Sequence, residues 1–194
     1  ALEISPSQLR QTAQQKYGPQ GVKNLEQWLS ILSNLQSISE DQQLKEVNTF
    51  RNRIALAGED KQIWGVEDYW ATPLETLGRG WADCEDYVIG KYFSLIHLGV
   101  PAEKLRLIYV RAQVAGSSIA HMVLGYYPTP DAEPLLLDNL TGLIRPASQR
   151  PDLTPVFSFN SNGVYVGNQA QSSIDRISRW RGLLEKMRTE GFSP

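Results

Sequence analysis

The chain has 194 residues, of which 41% are hydrophobic and 21% charged, with a formal net charge of −2. At about 150 residues per domain, that length predicts one domain whose core needs no covalent staples, and the composition excludes wholesale disorder. No apolar run approaches about 18 residues, so no transmembrane segment is expected, and without a basic excess no nucleic-acid partner is expected either.

In chain order, residues 6–17 read as a polar helix and 22–35 as a second, with Leu25, Trp28, Leu29 and Leu32 on one stripe. Ser39 reads as an N-cap with Gln42 three residues on, opening a helix expected to reach about Ala57 and stop at Gly58. Residues 60–80 read as loop. A helix is expected from Cys84 to about His97, closed by Gly99 and Pro101. The pattern then turns to strands over 105–114, 119–127 and 135–138, with shorter ones near Val156 and Val164. Ile174, Ile177, Trp180, Leu184 and Met187 return to helical spacing. The arginines and acids of residues 175–190 read as the solvated face of that amphipathic helix. Helices first and strands later, without alternation, indicate an α+β fold: a helical part over about 1–100, a sheet over about 104–168 and a C-terminal helix over about 173–190.

Cys84 is the sole cysteine, which rules out an intrachain disulfide and a thiolate zinc cluster. It lies in Gly80-Trp81-Ala82-Asp83-Cys84-Glu85-Asp86-Tyr87, where a loop enters a helix. The free N–H groups and positive partial charge of a first helical turn favour a thiolate there. The plainer alternative is a small buried hydrophobe. A nucleophilic thiol needs a base, and the chain has two histidines. His97 sits 13 residues on along the same helix, roughly 20 Å away. That leaves His121, in Ile119-Ala120-His121-Met122-Val123-Leu124, where Ile119, His121 and Val123 share a strand face.

Asp138 ends the apolar run Leu135-Leu136-Leu137, beyond the turn signal Pro128-Thr129-Pro130-Asp131. A symmetric hairpin about that turn sets His121 directly opposite Asp138, with Cβ atoms about 4.5–5.5 Å apart. A slip of one residue would part them to opposite faces. In this arrangement Cys84 attacks a carbonyl, His121 takes and returns the proton, and Asp138 holds the ring. The Cys84 amide supplies one oxyanion donor, with Trp81 or Asn48 as candidates for the second. A satisfied core histidine and a strand-end aspartate are the plainer alternatives.

The acids are unevenly spread. From Glu59 to Asp86 there are eight acidic and two basic residues, a balance of −6. Asp83, Glu85 and Asp86 crowd the cysteine, where bare charges raise a thiol pKa. Either they turn into water or a cation neutralises them. Three carboxylates at a helix entry suit a hard cation such as Ca²⁺, with loop carbonyls or Asp68 completing the set. The alternative is helix N-terminal acids favoured by the dipole alone.

The run Asp68-Tyr69-Trp70-Ala71-Thr72-Pro73-Leu74-Glu75, then Asp83-Cys84-Glu85-Asp86-Tyr87, Lys91-Tyr92-Phe93, Ala120-His121-Met122-Val123-Leu124 and Leu137-Asp138-Asn139, resembles the bacterial transglutaminase-like cysteine proteinase family. The resemblance spans roughly residues 25–184. It implies a papain-like, transglutaminase-like fold in which a helical N-terminal part packs on an antiparallel sheet. It implies Cys84, His121 and Asp138 as the triad, with Asp83 and Glu85 as calcium acids and Asp86 beside them. It also implies a periplasmic, calcium-dependent endoprotease that cleaves the N-terminal region of a large cell-surface adhesin, at a small-residue site with paired alanines, and so controls biofilm attachment. The implied inhibitory partner is the periplasmic domain of a LapD-type cyclic di-GMP receptor. The residues by themselves leave two alternatives open: a transglutaminase or amide acyltransferase on the same triad, and a non-catalytic binding module.

Overall fold

The computed structural model describes residues 1–66, 68–167, 169–174 and 177–194. Glu67 of the acidic stretch, and Asp175 and Arg176 at the expected start of the last helix, lie outside the described residues. A short strand β1 (Glu3–Ile4) leads into helix α1 (Pro6–Leu35). The two expected helices are one element bent at Gly18, whose backbone lies at φ 69° and ψ −161°. Glycine alone adopts that conformation without strain, and Pro19 after it cannot continue the amide ladder.

Helix α2 (Glu40–Ile54) opens as expected, with the Ser39 hydroxyl accepting the Gln42 amide at 3.3 Å. It ends at Ile54, short of the expected Ala57, because the chain turns extended at Ala55. Leu56–Ala57 (β2) then pairs in parallel with Trp81–Ala82 (β3). The Leu56 amide reaches the Gly80 carbonyl at 2.9 Å and the Gly58 amide the Ala82 carbonyl at 2.8 Å. This non-local pairing ties the end of α2 to the segment just before the cysteine.

The expected loop over 60–80 holds two helices, α3 (Asp60–Trp64) and α4 (Pro73–Arg79). Helix α4 starts on a reciprocal capping box: the Glu75 amide donates to Thr72 Oγ1 at 3.0 Å, and the Thr72 amide to Glu75 Oε1 at 2.9 Å. Pro73 at the first helical position is pre-set for the turn. Thr72 is fully buried and its hydroxyl also donates to Glu190 at 3.0 Å. Thr72→Ala is therefore expected to lower stability by about 2 kcal/mol, with Thr72→Ser retaining most of it; urea unfolding of the three proteins checks this.

Helix α5 (Cys84–His97) follows β3. The sheet then comprises β4 (Leu105–Val114), β5 (Ser117–Tyr126), β6 (Leu135–Leu137), β7 (Arg145–Pro146), β8 (Leu153–Asn160), β9 (Gly163–Val166) and β10 (Gln169–Ser172). Its spatial order is β10-β9-β8-β4-β5-β6-β7, and every neighbouring pair is antiparallel. Helix α6 (Ser178–Glu190) precedes β11 (Phe192–Ser193), which returns to pair with β1.

Trp28, Phe50, Leu77, Ile89 and Trp180 of the helices share one core with Leu107, Met122 and Leu124 of the sheet. The helical part thus packs on one face of an antiparallel sheet, the α+β arrangement expected. A smaller cluster of Ile108, Val110, Val123 and Leu136 involves the alternate positions of β4, β5 and β6. Helix α6 buries Trp180, Leu183 and Met187 and exposes Arg179, Arg181, Glu185 and Arg188 on the expected solvated face, but Glu190, expected there too, is buried because it accepts the Thr72 hydroxyl. No described helix is long and apolar enough to cross a membrane.

Candidate active site

Cys84 is the first residue of α5, and Asp83 caps that helix. Asp83 Oδ1 accepts the Glu85 amide at 3.1 Å, while the Asp83 amide donates to Asp86 Oδ2 at 3.1 Å. The cap fixes the thiol at the positive end of the helix, as the sequence pattern required. Cys84 is partly buried against the core, and its Sγ donates to Glu85 Oε2 at 3.1 Å. Burial, followed by the charges of Glu85 and Asp83, pushes the thiol far above its ordinary value. The Met122 main chain on β5 opposes that rise, which places the thiol beside the residue that follows His121.

His121 and Asp138 are brought together. His121 Nε2 lies 2.7 Å from Asp138 Oδ1, and both side chains are buried. The hairpin register differs from the symmetric expectation. Leu124 pairs with Leu137 and Tyr126 with Leu135, so the ladder carried on would set Asp138 opposite Val123 rather than His121. The offset is two residues, which preserves the face, and a diagonal neighbour remains within reach of a long side chain. With Nε2–H donated to the carboxylate, Nδ1 is the free basic nitrogen of the ring.

Asp138 is held by more than histidine. The Leu140 amide donates to Oδ1 at 3.2 Å and Arg150 Nη2 to Oδ2 at 2.9 Å. Its carbonyl accepts Asn52 Nδ2 of α2 at 2.9 Å. Burial acts to raise its pKa, but the His121, Leu140 and Arg150 contacts outweigh it and hold the carboxyl at about 2. Arg150, twelve residues downstream, was not legible as a site residue, since no local pattern ties a lone arginine to that strand end.

The acids cluster, with one change of membership. One oxygen from each of Asp60, Asp83 and Asp86 lies within 4.8 Å of the others, and the same holds for Asp83, Cys84 and Glu85 ligand atoms. Asp68, expected as a possible completing ligand, instead meets Arg179 on the surface at 3.1 Å. Asp60 takes its place, carried in by the β2–β3 pairing, a tertiary event with no local signal. Asp60 Oδ2 accepts the Tyr69 amide at 2.9 Å, while its buried Oδ1 has no hydrogen-bond partner among the described residues. Asp86 is committed to structure, with Oδ1 accepting the Ala71 amide at 3.0 Å and Oδ2 the Asp83 amide.

Burial and mutual repulsion raise Asp83 strongly, Asp86 to about 8 and Asp60 to about 6. Carboxylates packed this closely require shared protons or a cation. The orphaned Asp60 oxygen and the clustered carboxylates of Asp83 and Glu85 match the oxygen donors a calcium ion takes. The oxyanion candidates fare differently from one another. Trp81 is 46% exposed, whereas Asn48 is buried and gives its amide to the Gly142 carbonyl at 3.5 Å.

No curated protein matches the chain. Among solved structures, EGTA-treated LapG of Legionella pneumophila is 36% identical, with 96% of this chain and 100% of that chain covered and a TM-score of 0.84. Calcium-bound LapG of the same organism is 38% identical over 95% of this chain and 99% of that chain, with a TM-score of 0.81. The family model described as bacterial transglutaminase-like cysteine proteinase matches residues 21–152, the span that carries α2 to α5, the Cys84 helix entry and the His121–Asp138 pair. Together with the antiparallel sheet and the helix-capped thiol, this match means that the chain belongs to the bacterial transglutaminase-like cysteine proteinases.

Proposed function

We propose that the protein is a calcium-dependent cysteine endoprotease acting through Cys84, His121 and Asp138. The observation that carries this reading is the buried 2.7 Å contact between His121 Nε2 and Asp138 Oδ1, because it leaves Nδ1 as the ring's base. Cys84 Sγ attacks the scissile carbonyl, and His121 takes the thiol proton and passes it to the leaving amine. Water, activated by the same ring, then resolves the thioester. The Cys84 amide at the helix N-terminus donates to the oxyanion.

Calcium is the cation assigned to Asp60, Asp83 and Glu85, with Asp86 bracing the loop. Calcium-bound and EGTA-treated forms of Legionella LapG support the choice of ion, and the acid cluster supports the choice of residues. When bound, the ion supplies positive charge beside a thiol that bare acids would keep protonated.

The substrate we assign is the N-terminal region of a large cell-surface adhesin, cut in the periplasm at a small-residue site with paired alanines, so that the adhesin is released and biofilm attachment ends. The inhibitory partner is the periplasmic domain of a membrane receptor that binds cyclic di-GMP. This assignment is supported by likeness to LapG across nearly the whole of both chains.

The test is incubation with an adhesin N-terminal fragment carrying the paired alanines, with calcium or with EGTA, in the presence of a fluorescent primary amine. Cleavage in calcium that stops in EGTA and slows on adding the receptor domain is the expected result. Amine attached to the fragment without hydrolysis assigns the same triad to acyl transfer instead. A folded, calcium-loaded protein that does neither is a binding module.

A further inference from the structure

The two oxygens of Asp138 are held unequally. Oδ1 accepts from His121 at 2.7 Å and from the Leu140 amide at 3.2 Å, while Oδ2 accepts from Arg150 Nη2 at 2.9 Å. Torsion about a carboxylate's terminal bond is broad, so contacts to one oxygen alone leave the carboxylate plane free to swing. Arg150 is itself fixed. Its Nε donates to Asp152 Oδ1 at 3.0 Å and its Nη2 to Asp152 Oδ2 at 2.9 Å, a planar two-pronged contact. Its amide bonds the Ala147 carbonyl at 3.0 Å, and its carbonyl accepts the Leu153 amide at 3.1 Å. The residue therefore sits in a closed turn between β7 and β8. Its side chain is only 7% exposed.

We propose that Arg150 is a positioning residue for the Asp138–His121 pair: braced by Asp152, it pins Oδ2 so that Oδ1 stays aimed at Nε2 and Nδ1 stays the basic nitrogen. This rests on the triad reading above. The side-chain partners of Arg150 are Asp138 and Asp152, so it acts through Asp138. A guanidinium suits this role because its rigid fork grips Asp152 while one nitrogen reaches Asp138 as well.

Its charge has a second consequence. The charged groups around Asp138 are His121 on β5, Arg150 with Asp152 behind it, and the buried Lys91 of α5, which interacts electrostatically with Asp138. With Arg150 present, the charge of Asp138 is partly neutralised by the 2.9 Å ion pair. Removing the cation leaves Asp138 facing the ring with its full charge, a change that a pH–rate profile reads. A merely structural salt bridge between the β7–β8 turn and Asp138 would slow the reaction only as far as its loss unfolds the protein.

The experiment measures kcat, KM and the rate of Cys84 alkylation against pH in calcium-loaded wild type, Arg150→Met, Arg150→Lys and Asp152→Asn, each with its thermal midpoint. Arg150→Met is expected to lower kcat about 10- to 100-fold with KM within about twofold, and to shift the pH–rate profile. Arg150→Lys keeps the charge without the fork, so the profile returns toward wild type while only part of the rate recovers. Asp152→Asn, at the more exposed end of the contact, lowers the rate by a smaller factor with the profile in place. A folded Arg150→Met with kcat within twofold of wild type, or a rate loss that follows the folded fraction with the profile unmoved, overturns the inference. If Arg150→Met does not fold, Asp152→Asn decides: a wild-type rate overturns the proposal. An activated wild-type thiol that Arg150→Met leaves unchanged overturns this inference alone, whereas an unactivated wild-type thiol overturns the triad reading with it.

Discussion

Replacing His121 with alanine is expected to lower peptide cleavage by about 10³- to 10⁴-fold, while the protein remains folded. The size follows from the proposed role of His121 as the general base; His97, at the far end of α5, is committed through Nδ1 to the Leu2 carbonyl at 2.9 Å. Folding survives because Asp138 is not stranded. Arg150 and the Leu140 amide still satisfy both of its oxygens, so no buried charge is left unpaired. Asp138→Asn is expected to be nearly as damaging. An amide in that place presents a donor as readily as an acceptor, and it cannot hold an imidazolium. Initial rates and thermal midpoints of the two variants, beside wild type, check this. A His121→Ala protein within tenfold of wild type would remove the histidine from the mechanism.

Stripping calcium is expected to lower both cleavage and Cys84 alkylation at neutral pH by at least about 10-fold, since each unit by which a thiol pKa rises removes that factor of thiolate. The cause lies in the geometry. Without a cation, Glu85 accepts the Cys84 proton at 3.1 Å, and burial and the nearby acids hold the thiol high. The same acids make a stability prediction with a definite sign. Asp60 and Asp86 sit at about 6 and about 8 in the folded, ion-free protein, above their unfolded value of about 3.9. The folded state therefore binds more protons than the unfolded state between pH 4 and 8. The stability those protons confer is full below the unfolded value and is lost as pH rises through the folded ones. Calcium-free protein is accordingly expected to melt higher at pH 5.5 than at pH 8, and calcium is expected to raise the pH 8 midpoint more. Scanning calorimetry in calcium and in EGTA at both pH values checks this. A calcium-free midpoint that rises with pH would mean that the carboxylates find other partners.

Much of the candidate site's geometry is legible in the sequence because its determinants are local. The Asp83–Asp86 cap, the helix beginning at Cys84 and the polar residue ending an apolar strand at Asp138 all lie within a turn of their own signals. The hairpin survived a register error because the error was two residues, and side chains alternate with that period. Helix α4 differs from the loop expected there: Thr72-Pro73-Leu74-Glu75 carries a capping-box signature, but the flanking tryptophans and glycines read as loop. The expected end of helix α2 overshoots the observed one because Ala55, Leu56 and Ala57 carry no breaker. What stops the helix there is parallel pairing with Trp81–Ala82 and a hydrogen bond from the Tyr87 hydroxyl to the Ala55 carbonyl at 2.8 Å. That same non-local event carries Asp60 to the acid cluster and leaves Asp68 outside it, which no spacing along the chain encodes. Arg150 was invisible for the same reason.

The central claim is that Cys84 is an activated nucleophile poised by His121 and a cation. Its most direct test is the rate of iodoacetamide alkylation against pH, with calcium and with EGTA, in a chain where Cys84 is the sole thiol. Fast reaction well below the ordinary thiol value of about 8.5, lost in EGTA and lost again in His121→Ala, is the predicted result. Slow reaction with an ordinary thiol pKa in folded, calcium-loaded protein would contradict the account and leave a fold without its chemistry.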